Sequence, residues 1–377
     1  MTGKLKTISI FPLVLMASCL DPYYPDPQSN PEAGFLVIDG FLDGVKRTGV
    51  VKLSRSLLLG ELRNSTAELN AEVTVETEDG SFSLEEKGNG NYEAADLDLD
   101  PVSDYILHVR TADGSTYTSD PINLRVSPEF DSLVWRAEPG GVRFYVNGHD
   151  ENNNTKYWHY GFKETWEYEA SMTSKYVMTA DGYPVKRKPE EQVHNCWYTS
   201  GATQVLIQST TRLSQDLVTM YPINFIPKGS RNFLIRYTIL VEQRSISEDE
   251  YVFWDLIRRT TEKIGGLFDP IPSQVLGNVH SDDNSSAPVL GYFTGGFPRE
   301  KRIFITLDDL PKDLQVVDRL DFVCNSHSVT YTGQGQQAGD VIIELASGST
   351  YLVTSSICGD CRSLGGVNVK PSFWPEE

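Results

Sequence analysis

The residues with the most distinctive chemistry in this sequence are its five cysteines, Cys19, Cys196, Cys324, Cys358 and Cys361. Cys19 stands apart from the others, directly behind an apolar N-terminal run. The remaining cysteines form an even number, which in an exported chain favours disulfides. The last two, in Cys-Gly-Asp-Cys, have the CxxC spacing that also occurs in zinc sites and redox motifs. Their chemistry therefore has three candidate interpretations.

Structural disulfides are the interpretation that the surrounding sequence favours. Zinc would need a second matching pair, whereas Cys196 and Cys324 are far apart. Redox use would need a strand followed by a helix, as in thioredoxin, but Arg-Ser-Leu-Gly-Gly follows Cys361 and leads to a proline-containing end. If each cysteine of the CxxC pairs with a distant partner, the C-terminus is fastened to the body of the chain.

Cys19 follows a segment that resembles a bacterial lipoprotein signal. Lys4 and Lys6 precede a short apolar stretch, residues 8–16, which is too short to span a bilayer. Met16-Ala17-Ser18-Cys19 resembles a lipobox, in which cleavage precedes a cysteine that then receives lipid. We expect a signal peptide at 1–18 and several acyl chains on Cys19, enough for stable anchoring. An ordinary secretory signal with a chance cysteine is the alternative.

The next segment, 19–33, has the composition of a tether. Pro22, Pro25, Pro27 and Pro31 favour an extended, polyproline-like chain. Acidic residues close behind the cysteine resemble the signal that directs Bacteroidota lipoproteins to the exterior of the outer membrane. No later apolar stretch is long enough to cross a bilayer. We therefore expect a soluble body anchored to the outer membrane, facing the cell exterior.

The sequence offers little support for catalysis or metal binding. Asp96, Asp98 and Asp100 imitate the start of a calcium loop, but Pro101 and Leu107 stand where that loop needs glycine and a bidentate acid. No HExxH or GxSxG motif is present. The 52 acidic residues supply candidates for a glycosidase pair without singling any out. We expect a non-enzyme with no metal and no cofactor.

The charge and composition of the chain limit the classes of partner that it can bind. The 377-residue chain has a net charge of −19, with 39% hydrophobic and 11% aromatic residues. Loss of the signal peptide would remove two lysines and no acid, which makes the remaining chain still more acidic. A strongly acidic protein is poorly suited to nucleic acid, whose phosphates need neutralisation. The composition fits packed cores and a soluble surface.

The chain reads as mainly β, with two β-sandwich domains of immunoglobulin-like type. In residues 34–126, alternating apolar and polar strands are separated by Asp-Gly and Asn-Gly turns. A boundary near Ser127-Pro128 predicts a larger β-rich domain at 127–377 with a cysteine-containing C-terminal segment. Within it, an amphipathic helix is predicted near 247–264, because Ser247 and Glu250 have capping-box spacing and Gly265-Gly266 follows.

Aromatic residues are the candidates for ligand contact. The strand "KYWHYGFKETWEYEA" puts alternate residues on opposite faces, and most of its aromatic residues fall on the face expected to be buried. The residues considered for contact are Tyr157, Trp158, Trp166, Trp197 and Tyr198. Core packing explains most of them equally well.

Several stretches together resemble one family. They include "VIDGFL", "ETWEYEA", the helix block through "GNVH", "VLGYFTGG" with "KRIFI", and "CGDCRSLGGVNVKPSFWPEE". They are similar to the Bacteroidota lipoproteins known as domain of unknown function 4249. That resemblance implies an accessory role beside a TonB-dependent transporter of the SusC-like type. Relatives carry a cysteine where this chain has Ser281, so the resemblance implies that Cys324 takes over that pairing.

The functional hypothesis is therefore a non-catalytic, lipid-anchored accessory subunit of a TonB-dependent outer-membrane barrel in nutrient uptake. Its ligand would be a peptide or a glycan. The alternative is a cell-surface adhesin or an envelope-assembly lipoprotein that uses the same sandwiches to bind another protein.

Overall fold

The computed structural model describes residues 34–57, 66–262, 275–284, 287–315, 323–331 and 340–376. The predicted signal peptide, the tether and Cys19 lie outside the described residues. Within them the protein is mainly β, as the alternating pattern predicts. In these same ranges, no helix is both long and apolar enough to cross a membrane.

The strands of the first region are short and follow one another closely. They are β1 Leu36–Asp43, β2 Thr48–Arg55, β3 Thr66–Ala67, β4 Glu72–Thr77, β5 Gly80–Gly88, β6 Asn91–Ala94, β7 Asp104–Arg110, β8 Thr116–Ser119, β9 Ile122–Asn123 and β10 Arg125–Val126.

The second region contains longer strands and the main helix. Its first part comprises β11 Phe130–Glu138, β12 Gly141–Asp150, β13 Tyr157–Glu169, β14 Tyr176–Met178, β15 Pro184–Lys186, β16 Asn195–Gly201, β17 Leu206–Ser209, β18 Asp216–Pro227, β19 Arg236–Ser245 and α1 Glu248–Glu262. Its second part comprises β20 Val279–Ser281, β21 Leu290–Phe297, β22 Arg299–Thr306, β23 Ser326–Thr330, β24 Val341–Ser347, β25 Thr350–Thr354 and the short α2 Ser356–Gly359.

The first sheet is built from hairpins that the turn dipeptides predict. Asp79-Gly80 joins β4 to β5, Asn89-Gly90 joins β5 to β6, and Asp113-Gly114 lies between β7 and β8. The main strand order is β10-β21-β1-β2-β6-β5-β4-β7-β8-β20. The buried side chains of these strands, including Ile38, Leu53 and Tyr92, form one hydrophobic core.

Two strands of this first sheet come from far along the chain. β21 pairs in parallel with β1, and β20 pairs antiparallel with β8, although both lie beyond the predicted boundary at 126. Gly291 permits the first contact, because a Cβ there would stand 1.9 Å from the Ile38 carbonyl oxygen. The Asn278 side chain fixes the second segment by bonding both the N–H and the C=O of Phe293. The first body of the protein is thus completed by residues 276–284 and 287–297.

A second body consists of two sheets packed on a shared core. β11, β12 and β18 form one sheet, and β16, β13, β19 and β22 run in that order through a five-stranded sheet in which β17 also pairs with β13. Trp158, Phe144 and Tyr237 are fully buried in the core that these two sheets share. A third, three-stranded sheet of β23, β25 and β24 follows towards the C-terminus.

Helix α1 begins where the sequence predicts. The Ser247 hydroxyl accepts from the backbone N–H of Glu250 at 3.1 Å, which satisfies one free donor of the first turn. Phe253 is buried, whereas the apolar side chain of Val252 beside it is 57% exposed. Neighbouring helical residues point about 100° apart, so they cannot share one narrow face. Residues 263 and 264 lie outside the described part.

Candidate functional site

The outer face of the five-stranded sheet forms the floor of a groove. β13 contributes His159, Gly161 and Lys163, and these pair across with Arg244, Glu242 and Leu240 of β19. A Cβ atom added at Gly161 would meet no atom within 4 Å, so the floor is open at this position. The concavity above this floor has a volume of about 500 Å³.

The groove continues onto the outer face of the first sheet. There a second concavity of about 350 Å³ is lined by Asp39, Phe41, Val50 and Tyr292. Lys46, Glu242 and Trp254 line both concavities, so the two adjoin each other at these side chains. We call the combined surface the junction groove. It lies where the outer faces of the two sheets meet, with helix α1 beside it.

Arg244 holds the two sheets together beneath the groove. Its guanidinium lies 4.9 Å from the centre of the Phe41 ring, which belongs to β1. The same group donates to the His159 Nδ1 at 3.1 Å and to Glu250 at 3.3 Å. Arginine can only donate, so His159 must accept through Nδ1. Burial, and then the charge of Arg244, hold the pKa of His159 well below its ordinary value. This histidine is therefore neutral at neutral pH.

Glu250 is the buried carboxylate that ties helix α1 to both sheets. Besides Arg244 of β19, it accepts from the Trp254 Nε1 at 3.2 Å and from the Thr294 hydroxyl of β21 at 2.6 Å. The Trp254 ring is thereby fixed at the edge of the groove, with its centre 5.3 Å from that of His159. Burial, and then the nearby Glu250 carboxylate, raise the pKa of Tyr292 to about 12. Tyr292 remains a neutral phenol beside the groove.

The charged groups of the groove are largely paired with each other. Lys46 of the first body donates to Glu300 of β22 at 2.7 Å and lies 3.3 Å from Asp43. Arg244 lies 3.7 Å from Glu242 as well as beside Glu250. Positive and negative groups thus alternate along the groove. It has no large field of a single sign.

The C-terminal segment covers the other end of the same sheet face. Disulfides join Cys196 to Cys361 and Cys324 to Cys358, so the disulfide prediction is confirmed and each cysteine of the CxxC has a distant partner. Trp374 is buried and donates to the Glu167 carboxylate at 3.1 Å. We call residues 361–376 the C-terminal cover. The groove lies between this cover and helix α1.

The five aromatic residues considered for contact do not form one surface. Trp158 is fully buried in the core, which agrees with the packing interpretation. Trp197 is also buried, against the C-terminal cover, and its ring centre lies 6.4 Å from that of Trp374. Tyr157 packs on Tyr251 of α1, with ring centres 4.9 Å apart.

Trp166 and Tyr198 are half-buried against each other near the Cys196–Cys361 disulfide, with ring centres 4.8 Å apart. Other aromatic residues line the groove, among them Phe41, Tyr292 and Trp254. Trp254 was not among the predicted contact residues, because it lies within the amphipathic helix. The sequence signal that could have indicated a partly exposed position for Trp254 is its place on the helix, away from the face that carries most of the apolar residues.

Another concavity, of about 820 Å³, lies elsewhere between the two bodies. Its lining comes mainly from loops around Arg125 and Asp150 and includes no phenylalanine, tyrosine or tryptophan. In the described part of the chain, no group of three or more His, Cys, Asp and Glu residues is arranged to hold a metal ion. The junction groove is therefore the better candidate for a ligand site.

Comparison with known proteins places the sequence in a family. The profile described as domain of unknown function (DUF4249) matches residues 21–302, more than half of the chain. The chain belongs to the DUF4249 family. No curated protein matches the sequence significantly. Among solved structures, chitinase ChiA74 from Bacillus thuringiensis is similar over 52% of this chain and 28% of its own, at 11% identity and a TM-score of 0.16, which carries no argument.

The DUF4249 match includes the junction groove and ends before the C-terminal cover. The groove residues run from Asp39 to Glu300, inside the matched range of 21–302. Cys324, Cys358 and Cys361 lie beyond it. The family region thus contains all the side chains that form the groove.

Proposed function

We propose that this DUF4249 protein is a lipid-anchored, non-catalytic binding protein on the exterior of the outer membrane. In this proposal it serves a TonB-dependent, SusC-like barrel as an accessory subunit in nutrient uptake. Support for the anchor comes from the lipobox-like residues 16–19, with Cys19 as the lipidated residue. The proline-rich segment that follows would hold the binding body away from the membrane.

The observation that carries the binding role is the junction groove. It is open, it is formed by both bodies of the protein, and it has an aromatic ring fixed at its side by Glu250. Ligand sites occur preferentially where two structural units meet. The pairing of Lys46 with Glu300 and of Arg244 with Glu250 suits recognition of a polar ligand more than acid–base chemistry.

We also propose that each body is a β-sandwich of the immunoglobulin-like type. In the second body, support comes from the two sheets that face each other across one core containing Phe144, Trp158 and Tyr237. Such sandwiches present loops and outer sheet faces for binding. This agrees with a groove on an outer face.

The transporter role is tested by purification from native outer membrane. The lipidated full-length protein is extracted in mild detergent, captured and analysed by mass spectrometry, with Cys19→Ala as the control. We expect a stoichiometric TonB-dependent barrel with the wild type and its loss or depletion with Cys19→Ala. A clean protein without a barrel would contradict the transporter role. Assembly proteins captured in its place would support the envelope-assembly alternative.

A further inference from the structure

We infer that the junction groove binds a neutral, unbranched oligosaccharide, with one sugar ring stacked on Trp254. This inference rests on the binding role proposed above and names the ligand class. It does not depend on the identity of the transporter. Three observations carry it. The charges of the groove are largely paired, the ring of Trp254 is fixed, and the central strands of the floor have their backbone hydrogen bonds taken up by neighbouring strands.

The charge balance of the groove favours a neutral ligand. The cationic groups of Lys46 and Arg244 each have carboxylate partners within 4 Å. At Lys46 and at Arg244, a ligand of one strong charge would therefore meet an opposing charge beside the attractive one, whereas Lys163, which also lines the groove, is not part of these pairs. The net charge of −19 also disfavours polyanions. A neutral ligand rich in hydroxyl groups can use both kinds of group without a net charge of its own.

Carboxylates on the groove floor provide acceptors for hydroxyl groups. Each ionised carboxylate can accept about four hydrogen bonds. Glu300 uses one short contact, 2.7 Å, to Lys46, and so has capacity left for ligand donors. Glu242 lies directly across from Glu300 on the neighbouring strand. Two adjacent carboxylates of this kind match the paired hydroxyl groups of a sugar ring.

Trp254 provides the flat apolar surface that one face of a sugar ring can cover. Its Nε1 is held by Glu250 and its ring packs near His159 and Phe253. A ring that is already fixed loses little conformational entropy when a ligand stacks on it. Gly161 leaves the floor beside it open, so a chain of rings can lie along the sheet.

The floor disfavours an extended peptide bound as an added strand. That mode requires a strand edge with free N–H and C=O groups. At the centre of the floor both strands have partners on each side: β13 lies between β16 and β19, and β19 lies between β13 and β22. Over these two strands, recognition must therefore come from side chains, as it does for sugars.

The test is isothermal titration of the full-length lipidated protein in lauryldimethylamine oxide, a detergent without a sugar head group. The probes are maltohexaose, cellohexaose, xylohexaose and mannohexaose. We expect at least one to bind, Trp254→Ala to weaken it about tenfold, as for the loss of one aromatic contact, and Gly161→Trp to abolish it. Ser83→Trp, at an exposed strand position in the first sheet, should bind like the wild type.

Failure of all four probes below about 10 mM, or binding that survives Gly161→Trp, would overturn the inference. Binding of a casein tryptic digest that Gly161→Trp abolishes, with no binding of the sugars, would also overturn it in favour of peptide. A barrel captured from native membrane together with either result would leave the transporter role standing. Sugar binding without a captured barrel would support the ligand class inferred here and contradict the transporter role.

Discussion

The outer face of the five-stranded sheet is closed at its two ends by different means. At one end the C-terminal cover is held by the Cys196–Cys361 disulfide, with Trp374 buried beside it. At the other end helix α1 is held by one buried carboxylate, Glu250, which bonds Arg244 and Thr294. The first attachment is covalent and permanent. The second depends on a charge and on hydrogen bonds.

This difference indicates a division of roles. A disulfide stabilises mainly by restricting the unfolded chain, and it fixes the cover whatever the groove contains. A buried carboxylate with three side-chain donors stabilises only while every partner stays in place. The groove adjoins the second kind of attachment. A ligand that stacks on Trp254 would therefore restrict a side chain that is held only by hydrogen bonds. The predictions below test the comparison in order of expected effect.

Removal of the disulfide at the cover should have the largest effect on stability. Cys196→Ala with Cys361→Ala removes a link between residues separated by 165 positions, and loop-closure entropy predicts a loss of up to about 5 kcal/mol. Urea denaturation under non-reducing conditions measures it. The control is Cys324→Ala with Cys358→Ala, separated by 34 positions, which should cost about 1 kcal/mol less. A larger loss from the control pair would contradict the role of the longer link.

Glu250→Ala should destabilise the protein by about 3–5 kcal/mol, because Arg244 would lose its buried carboxylate partner and keep only the more exposed Glu242 at 3.7 Å. Chemical denaturation measures the change in the free energy of unfolding. Asp249→Ala, at an exposed position in the same helical turn, should cost less than about 1 kcal/mol. Equal effects of the two substitutions would show that Glu250 is not the attachment point of the helix.

Glu164 should make stability depend on pH in the second body. Burial raises the pKa of this carboxyl, although hydrogen bonds from Tyr237 and Asn224 act in the opposite direction. Because the pKa is higher in the folded state, the stabilisation from the bound proton is complete below the unfolded pKa. It is lost as the pH rises through the folded pKa.

Glu164→Gln should therefore gain stability relative to the wild type as the pH rises from about 4.5. Melting curves across this range measure the difference. Tyr237→Phe removes a donor that lowers the pKa, so it should extend the wild-type dependence to higher pH. A difference between Glu164→Gln and the wild type that does not change with pH would rule out titration of Glu164.

Gly161→Trp should have the smallest effect on stability and a large effect on binding. The position has open space and no positive φ, so the change in unfolding free energy should stay within about 0.5 kcal/mol. Thermal denaturation checks this, with Ser83→Trp as the matched substitution in the first sheet. A strongly destabilised Gly161→Trp would mean that the floor is not open.

Local features of this molecule could be predicted from its sequence. The Asp-Gly and Asn-Gly turns give the hairpins of the first sheet, and Ser247 marks the start of α1. The alternation in β13 places Trp158 inside and His159 outside. Disulfides were predicted from the even number of cysteines that follow Cys19 in a chain expected to be exported. The turn, helix and strand signals each lie within a few residues of the feature that they predict.

The junction groove could not be predicted in the same way. It depends on the parallel pairing of β21 with β1, whose residues Gly291 and Ile38 are distant in sequence and share no local pattern. Trp254 becomes a groove residue only because Glu250 fixes its ring against elements from both bodies. The predicted boundary at 126 follows a local change of pattern, whereas strand pairing crosses it. The position of the groove therefore depends on contacts between residues that are far apart in the sequence.

The most direct test of the central claim is native mass spectrometry of the full-length protein purified from its native cells. Wild type, Gly161→Trp and Ser83→Trp are compared under conditions that preserve bound ligands. If a ligand occupies the junction groove, the wild type and Ser83→Trp should carry an added mass that is absent from Gly161→Trp. The same added mass on all three proteins, or on none of them, would contradict the claim that this groove is the binding site.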